Sequence, residues 1–182
     1  MHLDKHLVFS KVQRYHCLMK SLTLIISLVV FTIFSMLGCT VSSTKSSEMA
    51  EQQVIRTMER FFEILDVDNY ERNLLEEVVT EDFKIFEAGE VMDIERFHAF
   101  VTHVDPNVAP LSETSWTLSE FDISLDNDSA HVSYINRGIF KHGDEMTAKL
   151  HWMESAYLIK QTGGYKIKFL NSNVVSRDFD YK

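Results

Sequence analysis

The chain has 182 residues, is 45% hydrophobic and carries a net charge of −9. One of its 27 acidic residues and four of its 18 basic residues precede Cys39, so the rest of the chain has a net charge of −12. This acidic part has no stripe of Lys or Arg, which argues against binding to a nucleic-acid backbone, and no nucleic-acid partner is predicted. The only cysteines are Cys17 and Cys39, so a domain that follows Cys39 must fold without a disulfide.

A secretory signal is predicted at the beginning of the chain. The segment 19–39, MKSLTLIISLVVFTIFSMLGC, contains one lysine, an apolar run and a glycine before a cysteine. This layout resembles bacterial lipoprotein signals, although the two residues before the glycine depart from the usual pattern. We predict a signal segment over residues 1–39, with translation starting at Met19 and an acyl anchor on Cys39. The alternative is an uncleaved signal anchor, for which the apolar run is somewhat short.

The lipoprotein resemblance also implies a location and a partner. It implies a protein of the bacterial cell envelope that is lipid-anchored, facing the periplasm from the outer membrane. The lipid bilayer is then a partner, held through the acyl group on Cys39. Residues 40–47, TVSSTKSS, are small and polar, and they are predicted to form a flexible tether between the lipid and the fold.

Helices are predicted in the first half of the folded part. From Glu48 onward, apolar residues recur at the spacing of one helical face: Val54, Met58, Phe61, Phe62 and Leu65. Residues 70–79 predict a second, short helix, and residues 82–87 alternate like a strand. Asp93 is predicted to cap a third helix.

Strands are predicted in the second half. Their ranges are 116–125, 131–141, 146–161 and 165–175, and short turns rich in Gly, Asn and Asp join them. We predict a folded domain over 48–176 and a C-terminal tail over 177–182. Helices followed by such a meander indicate an α+β domain with helices on one face of a curved antiparallel sheet.

The closing segment carries a family resemblance. WMESAYLIK at 152–160, a Gly-Gly turn, YKI at 165–167 and FLNS at 169–172 follow one another in the second half of the chain. With the preceding order of elements, they resemble the nuclear transport factor 2-like superfamily, in particular its SnoaL-like branch. The resemblance implies a cone-shaped, cystatin-like sheet with three N-terminal helices packed on its concave face. Members of this superfamily include isomerases, cyclases, dehydratases, binding proteins and scaffolds. They are often dimers, so the resemblance also implies a homodimer.

Metal and nucleotide motifs are not found in the sequence. Residues 66–77 superficially resemble a calcium loop, but Tyr70 and Glu71 occupy positions that need an oxygen ligand and a glycine. No helical His pair with zinc spacing, phosphate-binding loop or dinucleotide fingerprint is present. We therefore predict no metal site and no cofactor.

Alternation along the strands predicts a ligand cavity. On the predicted strand 131–141, Tyr134 and Asn136 share the inward face, and on the predicted strand 146–161, Trp152 and Glu154 do. The same rule assigns two residues of the predicted strand 165–175 to this face: Asn171 and Asn173. Glu154, desolvated among these groups, is a weak candidate for a catalytic base. A strand bulge would turn Glu154 outward instead.

Three functions remain open. The first is a membrane-tethered domain that binds a small apolar or amphipathic molecule in its cone without chemistry. The second is a cofactor-free isomerase, dehydratase or cyclase with Glu154 as base. The third is a dimeric scaffold for envelope proteins, which would use exposed residues of the sheet such as Tyr157, Ile159 and Phe179.

Overall fold

The helical first half of the folded part forms as the sequence predicts. The computed structural model describes residues 45–182, in which residues 45–64 form helix α1. Helix α2 is Arg72–Val78 and helix α3 is Ile94–Val101. Residues 45–47, which the sequence assigns to the tether, are already helical. The signal segment 1–39, the acyl site Cys39 and residues 40–44 lie outside the described residues.

Local sequence explains two of these helices. The stripe of α1 is buried as predicted, with Val54 and Met58 fully buried and Phe61 almost so. The Asp93 side chain accepts a hydrogen bond of 2.9 Å from the backbone N–H of Arg96, so it caps α3 by satisfying a donor that has no partner within the helix. In residues 45–182 no helix combines the length and the apolarity needed to cross a membrane.

Six strands form one curved sheet. They are β1 (Val79–Glu87), β2 (Glu90–Met92), β3 (Glu113–Leu125), β4 (Ser129–His142), β5 (Met146–Gln161) and β6 (Gly164–Tyr181). Their spatial order is β2-β1-β6-β5-β4-β3. The predicted α+β class, with helices against a curved sheet, is confirmed.

The sheet is mixed rather than wholly antiparallel. Strands β3 to β6 form the predicted meander, but β1 runs parallel to β6. Turn residues fix the direction only of strands that follow each other closely, and most of the domain lies between β1 and β6. The sequence pattern therefore does not determine the direction of this pair.

Strand β6 also extends further than predicted. Residues 177–182 were expected to be a tail, but β6 continues to Tyr181, which pairs with Met146 at the beginning of β5. Strand β5 has 16 residues, and the end of β6 pairs with backbone groups of β5 that would otherwise lie at a free edge.

Two bulges interrupt β6 and set the direction of its side chains. Tyr157 and Leu158 of β5 pair with Phe169 and Ile167, which leaves Lys168 as an extra residue. His151 and Trp152 pair with Ser176 and Val174 in the same way, so that Val175 is the second extra residue. Each extra residue shifts the inward-facing positions of the strand by one.

A packed core fills one end of the cone. Met58 and Phe61 of α1, Leu75 of α2, Phe83 of β1 and Ile167 of β6 are all at most 1% exposed. Phe61 also stacks on Phe97 of α3 with ring centroids 6.0 Å apart. The helices therefore pack directly on the sheet at this end, and the other end of the cone is left for a cavity.

Candidate functional site

A cavity of about 390 Å³ lies between the helices and the concave face of the sheet. Side chains of α1, α3, β1 and β3 to β6 line it. Eight of the lining residues are aromatic: Phe61, Phe62, Phe97, Phe100, Trp116, Phe140, Trp152 and Phe179. This volume and this apolar wall are typical of sites for small organic molecules.

An aromatic cluster forms one wall of the cavity. The Trp116 ring lies 5.1 Å from Phe140 and 5.9 Å from Trp152, measured between ring centroids. These rings lie over Gly138, where a Cβ atom would come within 2.8 Å of Phe140 and 3.0 Å of Trp152. A larger residue at position 138 would therefore force the Phe140 ring to move, and glycine avoids this because it has no Cβ.

Glu154 is the central polar residue of the cavity and is only 6% exposed. Asn136 Nδ2 donates a hydrogen bond of 3.1 Å to Glu154 Oε2, and Ser172 Oγ donates one of 2.7 Å to Oε1. Burial raises the pKa of Glu154 to about 7, although the neighbouring side chains of Ser172, Tyr134 and Asn136 oppose the shift. The carboxyl group therefore exists in both protonation states near neutral pH.

Three buried polar atoms in this part of the domain have no hydrogen-bond partner among the described residues. They are Tyr134 Oη, Asn136 Oδ1 and Trp116 Nε1. Tyr134 lies directly opposite Glu154 in the β4–β5 register, and its pKa is raised well above the usual value by burial and by the Glu154 carboxylate. Of these residues Asn136 and Trp116 line the cavity, so one acceptor and one donor can bind the polar group of a ligand.

A second carboxyl group, that of Glu87 at the end of β1, also lines the cavity. Burial raises the pKa of Glu87, whereas the Ser172 hydroxyl and the charge of Arg177 oppose this. The charge of Glu87 in turn contributes to the raised pKa of Glu154. The site thus contains two carboxyl groups in a largely apolar environment, with Arg177 beside one of them.

The structure separates the residues predicted for the site into two groups. Asn136, Trp152 and Glu154 line the cavity, and Tyr134 is buried beside Glu154 on the same face of the sheet. Asn171 and Asn173 do not line it, because the bulge at Lys168 places Leu170, Ser172 and Val174 on the concave face instead. The predicted inward orientation of the two asparagines is therefore wrong.

Three polar residues of the site were not predicted. Glu87 shares its strand face with the buried Phe83 and Ile85, so alternation along β1 contained a usable signal. Ser172 lies inside only because of the bulge at Lys168, for which the sequence gives no clear signal. Arg177 has the inward parity that alternation from Ile167 gives, because the second bulge reverses the effect of the first, but it falls in the predicted tail. Among residues 45–182 no three His, Cys, Asp or Glu side chains are grouped as metal ligands.

Comparison with solved structures identifies the fold. A protein provisionally named a scytalone dehydratase, from Novosphingobium aromaticivorans, superposes with a TM-score of 0.62 at 16% identity, over 76% of this chain and 92% of that one. A CaMKII hub homology domain from Chlamydomonas reinhardtii gives 0.56 at 17% identity, over 70% and 99%. An NTF2-like protein from Cytophaga hutchinsonii gives 0.54 at 13% identity, over 69% and 98%.

These similarities confirm the nuclear transport factor 2-like fold expected from the closing segment. No protein-family model matches the chain, and no curated protein matches its sequence. At such low identity the neighbours show the fold alone, so the chemistry must be argued from the cavity.

Stability is expected to depend on the titration of Glu154. The group has a folded pKa of about 7 against an ordinary value of 4.5, so between these pH values the folded state keeps a proton that the unfolded state has released. The free energy of unfolding therefore falls by about 3 kcal/mol as the pH rises from 4.5 to 7. The side chain of Glu154→Gln cannot titrate, so this variant should not lose stability in the same way. In urea unfolding, the free energy of unfolding of the variant minus that of the wild type should be about 2–3 kcal/mol larger at pH 8 than at pH 5.

The exposed Glu59 provides a matched control for this measurement. Glu59→Gln removes a surface carboxyl group from α1 and should follow the wild type at both pH values. Parallel behaviour of the wild type and Glu154→Gln would contradict the raised pKa of Glu154.

Proposed function

We propose that the domain binds a small, apolar or amphipathic organic molecule in the cavity of its cone. The observation that carries this proposal is the combination of aromatic walls with a few buried polar groups at one place. Apolar walls supply most of the binding free energy, because they bury ligand surface away from water. Polar groups at fixed positions select and orient the ligand.

The polar groups also indicate what the ligand must offer. Asn136 Oδ1 accepts hydrogen bonds, Trp116 Nε1 donates them, and Tyr134 Oη can do either. A ligand with a hydroxyl or carbonyl group near Glu154 would satisfy atoms whose burial without partners costs about 1–3 kcal/mol each. A wholly apolar ligand would leave these atoms unsatisfied.

Native mass spectrometry of the full chain, purified from its own host, tests the binding proposal. The wild type should carry extra mass that is lost on denaturation. Ala148→Phe adds a ring to a lining position of β5 and should abolish the extra mass, whereas Met153→Phe changes an exposed position of the same strand and should retain it. The proposal is contradicted if the wild type carries no releasable molecule, or if both variants retain it.

A cofactor-free acid–base enzyme is the second candidate function. It is favoured by Glu154, whose pKa of about 7 suits a group that takes up and releases a proton at neutral pH. The carboxyl group is held by Asn136 and Ser172 beside a cavity that can hold a substrate. The likeness to a protein provisionally named a scytalone dehydratase favours a dehydratase in this role.

Proton transfer can be followed on the molecule recovered from the chain. Incubated in D₂O with the wild type, that molecule should gain deuterium at an acidic C–H position. Glu154→Gln should slow this exchange by about 10²–10⁴-fold while the ligand still binds. The control Glu59→Gln should exchange at the wild-type rate. A ligand that binds but gains no deuterium would exclude this function and leave simple binding.

We further propose that the domain acts at the bacterial cell envelope, anchored by an acyl group on Cys39. The sequence of residues 19–39 supports this proposal. In full-length protein from a bacterial host, the N-terminal peptide should begin at Cys39 and carry the mass of a diacylglyceryl group. The Cys39→Ser variant should keep its leader, and an unmodified Cys39 within an intact leader would contradict the anchor.

A homodimer and a scaffold role remain further proposals. The outer face of the sheet carries the exposed Met153 and Tyr157 of β5 and Ile139 of β4, which would suit a protein contact. Of the other residues expected to contact a partner, Ile159 is partly buried and Phe179 lines the cavity while remaining 46% exposed. The native mass spectra described above also report the number of copies.

A further inference from the structure

A second space, the outer groove, adjoins the cavity. It has a volume of about 590 Å³ and is bordered by the chain after α1, the end of α3 and residues 102–111. Its own lining residues include Val67, Val104 and Val108. Among the residues of the outer groove only Asp105, His103 and His142 carry ionisable groups other than Tyr70, so its surface is mainly aliphatic.

One layer of side chains separates the outer groove from the cavity. Five residues line both spaces: Leu65, Val101, Leu111, His142 and Met146. Leu and Met side chains change rotamer readily, and Met adapts to irregular neighbours. A narrow chain that ran from the cavity into the groove would have to displace side chains of this layer, and its Leu and Met members are the ones able to turn aside.

A hydrogen bond holds the outer wall of the groove in place. His142 Nδ1 lies 2.7 Å from the carbonyl oxygen of Ala109. Ser112, just after this wall, donates from both its backbone N–H and its hydroxyl to the Lys141 carbonyl. The segment between α3 and β3 is thus tied to the end of β4, which keeps the groove open beside the cavity.

The groove exposes apolar surface that a ligand could cover. Val104 is 69% exposed and Val108 is 37% exposed. Single exposed valines are ordinary, but these two line a groove that adjoins the cavity and shares five lining residues with it. Apolar surface at such a place binds the apolar part of a molecule that already occupies the cavity.

Polarity changes in one direction through the two spaces. Glu154 and Asn136 lie on the cavity side with aromatic rings in the same walls, and mainly aliphatic side chains form the shared layer, apart from His142, and the groove. We propose that the ligand is a free single-chain amphiphile, with its polar end beside Glu154 and Asn136 and its alkyl chain passing between Leu65 and Leu111 into the outer groove. This inference rests on the proposed binding function and specifies its ligand class.

A series of primary alcohols from 1-octanol to 1-tetradecanol tests the proposal on the full chain. Binding can be followed by tryptophan fluorescence, because the chain contains two tryptophans and both Trp116 and Trp152 line the cavity. Affinity should rise by about fourfold for each added methylene up to the longest alcohol. All measurements are made at concentrations below those at which the alcohols scatter light.

Two exposed valines provide a matched pair of variants. Val104→Asp places a charge in the outer groove and should weaken 1-tetradecanol binding by about tenfold while leaving 1-octanol unaffected. Val91→Asp makes the same change at a valine that is 63% exposed on β2, outside the groove, and should leave both alcohols unaffected. Unfolding midpoints of the two variants would show that the fold is intact.

The outcomes separate this inference from the proposed function. If 1-octanol binds but affinity stops rising with chain length, and Val104→Asp has no selective effect, the amphiphile proposal is wrong and the cavity remains a site for compact ligands. If no alcohol binds and the native chain carries no releasable molecule, the binding function itself fails.

Discussion

The buried carboxyl group of Glu154 is the constraint on which the site depends. A carboxyl group with 6% exposure is destabilising when ionised unless other groups compensate for the lost water. Here the Asn136 amide and the Ser172 hydroxyl each donate to one of its oxygens. Since both donors come from neighbouring strands, the register of β4, β5 and β6 must be correct for this carboxyl group to be tolerated.

The position of Glu154 follows from a division of each strand into two parts. Near the Gln161 end of β5, Ala156 and Leu158 belong to the packed core, whereas Ala148, Leu150 and Trp152 line the cavity. Glu154 lies at the boundary. It is therefore desolvated by the core on one side and accessible to a ligand on the other, which explains how its pKa is raised while its oxygens still face an open space.

The same division explains how a domain with a cavity can be stable without a disulfide, since residues 45–182 contain no cysteine. The first part of α1 packs Val54 and Met58 against the sheet, and only the later residues from Phe61 to Leu65 border the cavity or the groove. The buried apolar surface at the packed end can stabilise the fold. The open end can then hold exposed apolar and unpartnered polar atoms at a cost that the rest of the domain offsets.

Periodicity in the sequence was sufficient for the fold class and for the buried face of α1. It was also sufficient for the inward direction of Asn136 and Glu154, because β4 and β5 pair with each other without a bulge. It failed at Asn171 and Asn173, since one extra residue at Lys168 reverses every later assignment until the next bulge. Alternation is a local rule, and a bulge depends on pairing with a distant partner. The inward position of Ser172 thus could not be predicted from the strand pattern, whereas that of Glu87 could. Arg177 lies after the second bulge and follows the alternation again, but the strand was predicted to end before it.

Binding and proton transfer make opposite demands on Glu154. An apolar ligand that fills the cavity removes more water from the carboxyl group and raises its pKa further, so the group stays protonated and can donate a hydrogen bond to a ligand carbonyl. A ligand that donates a hydrogen bond to the carboxylate lowers this pKa and keeps the group able to accept a proton. The ligand's own polar group would therefore decide which of the two proposed functions this cavity can serve, with no change in the surrounding residues.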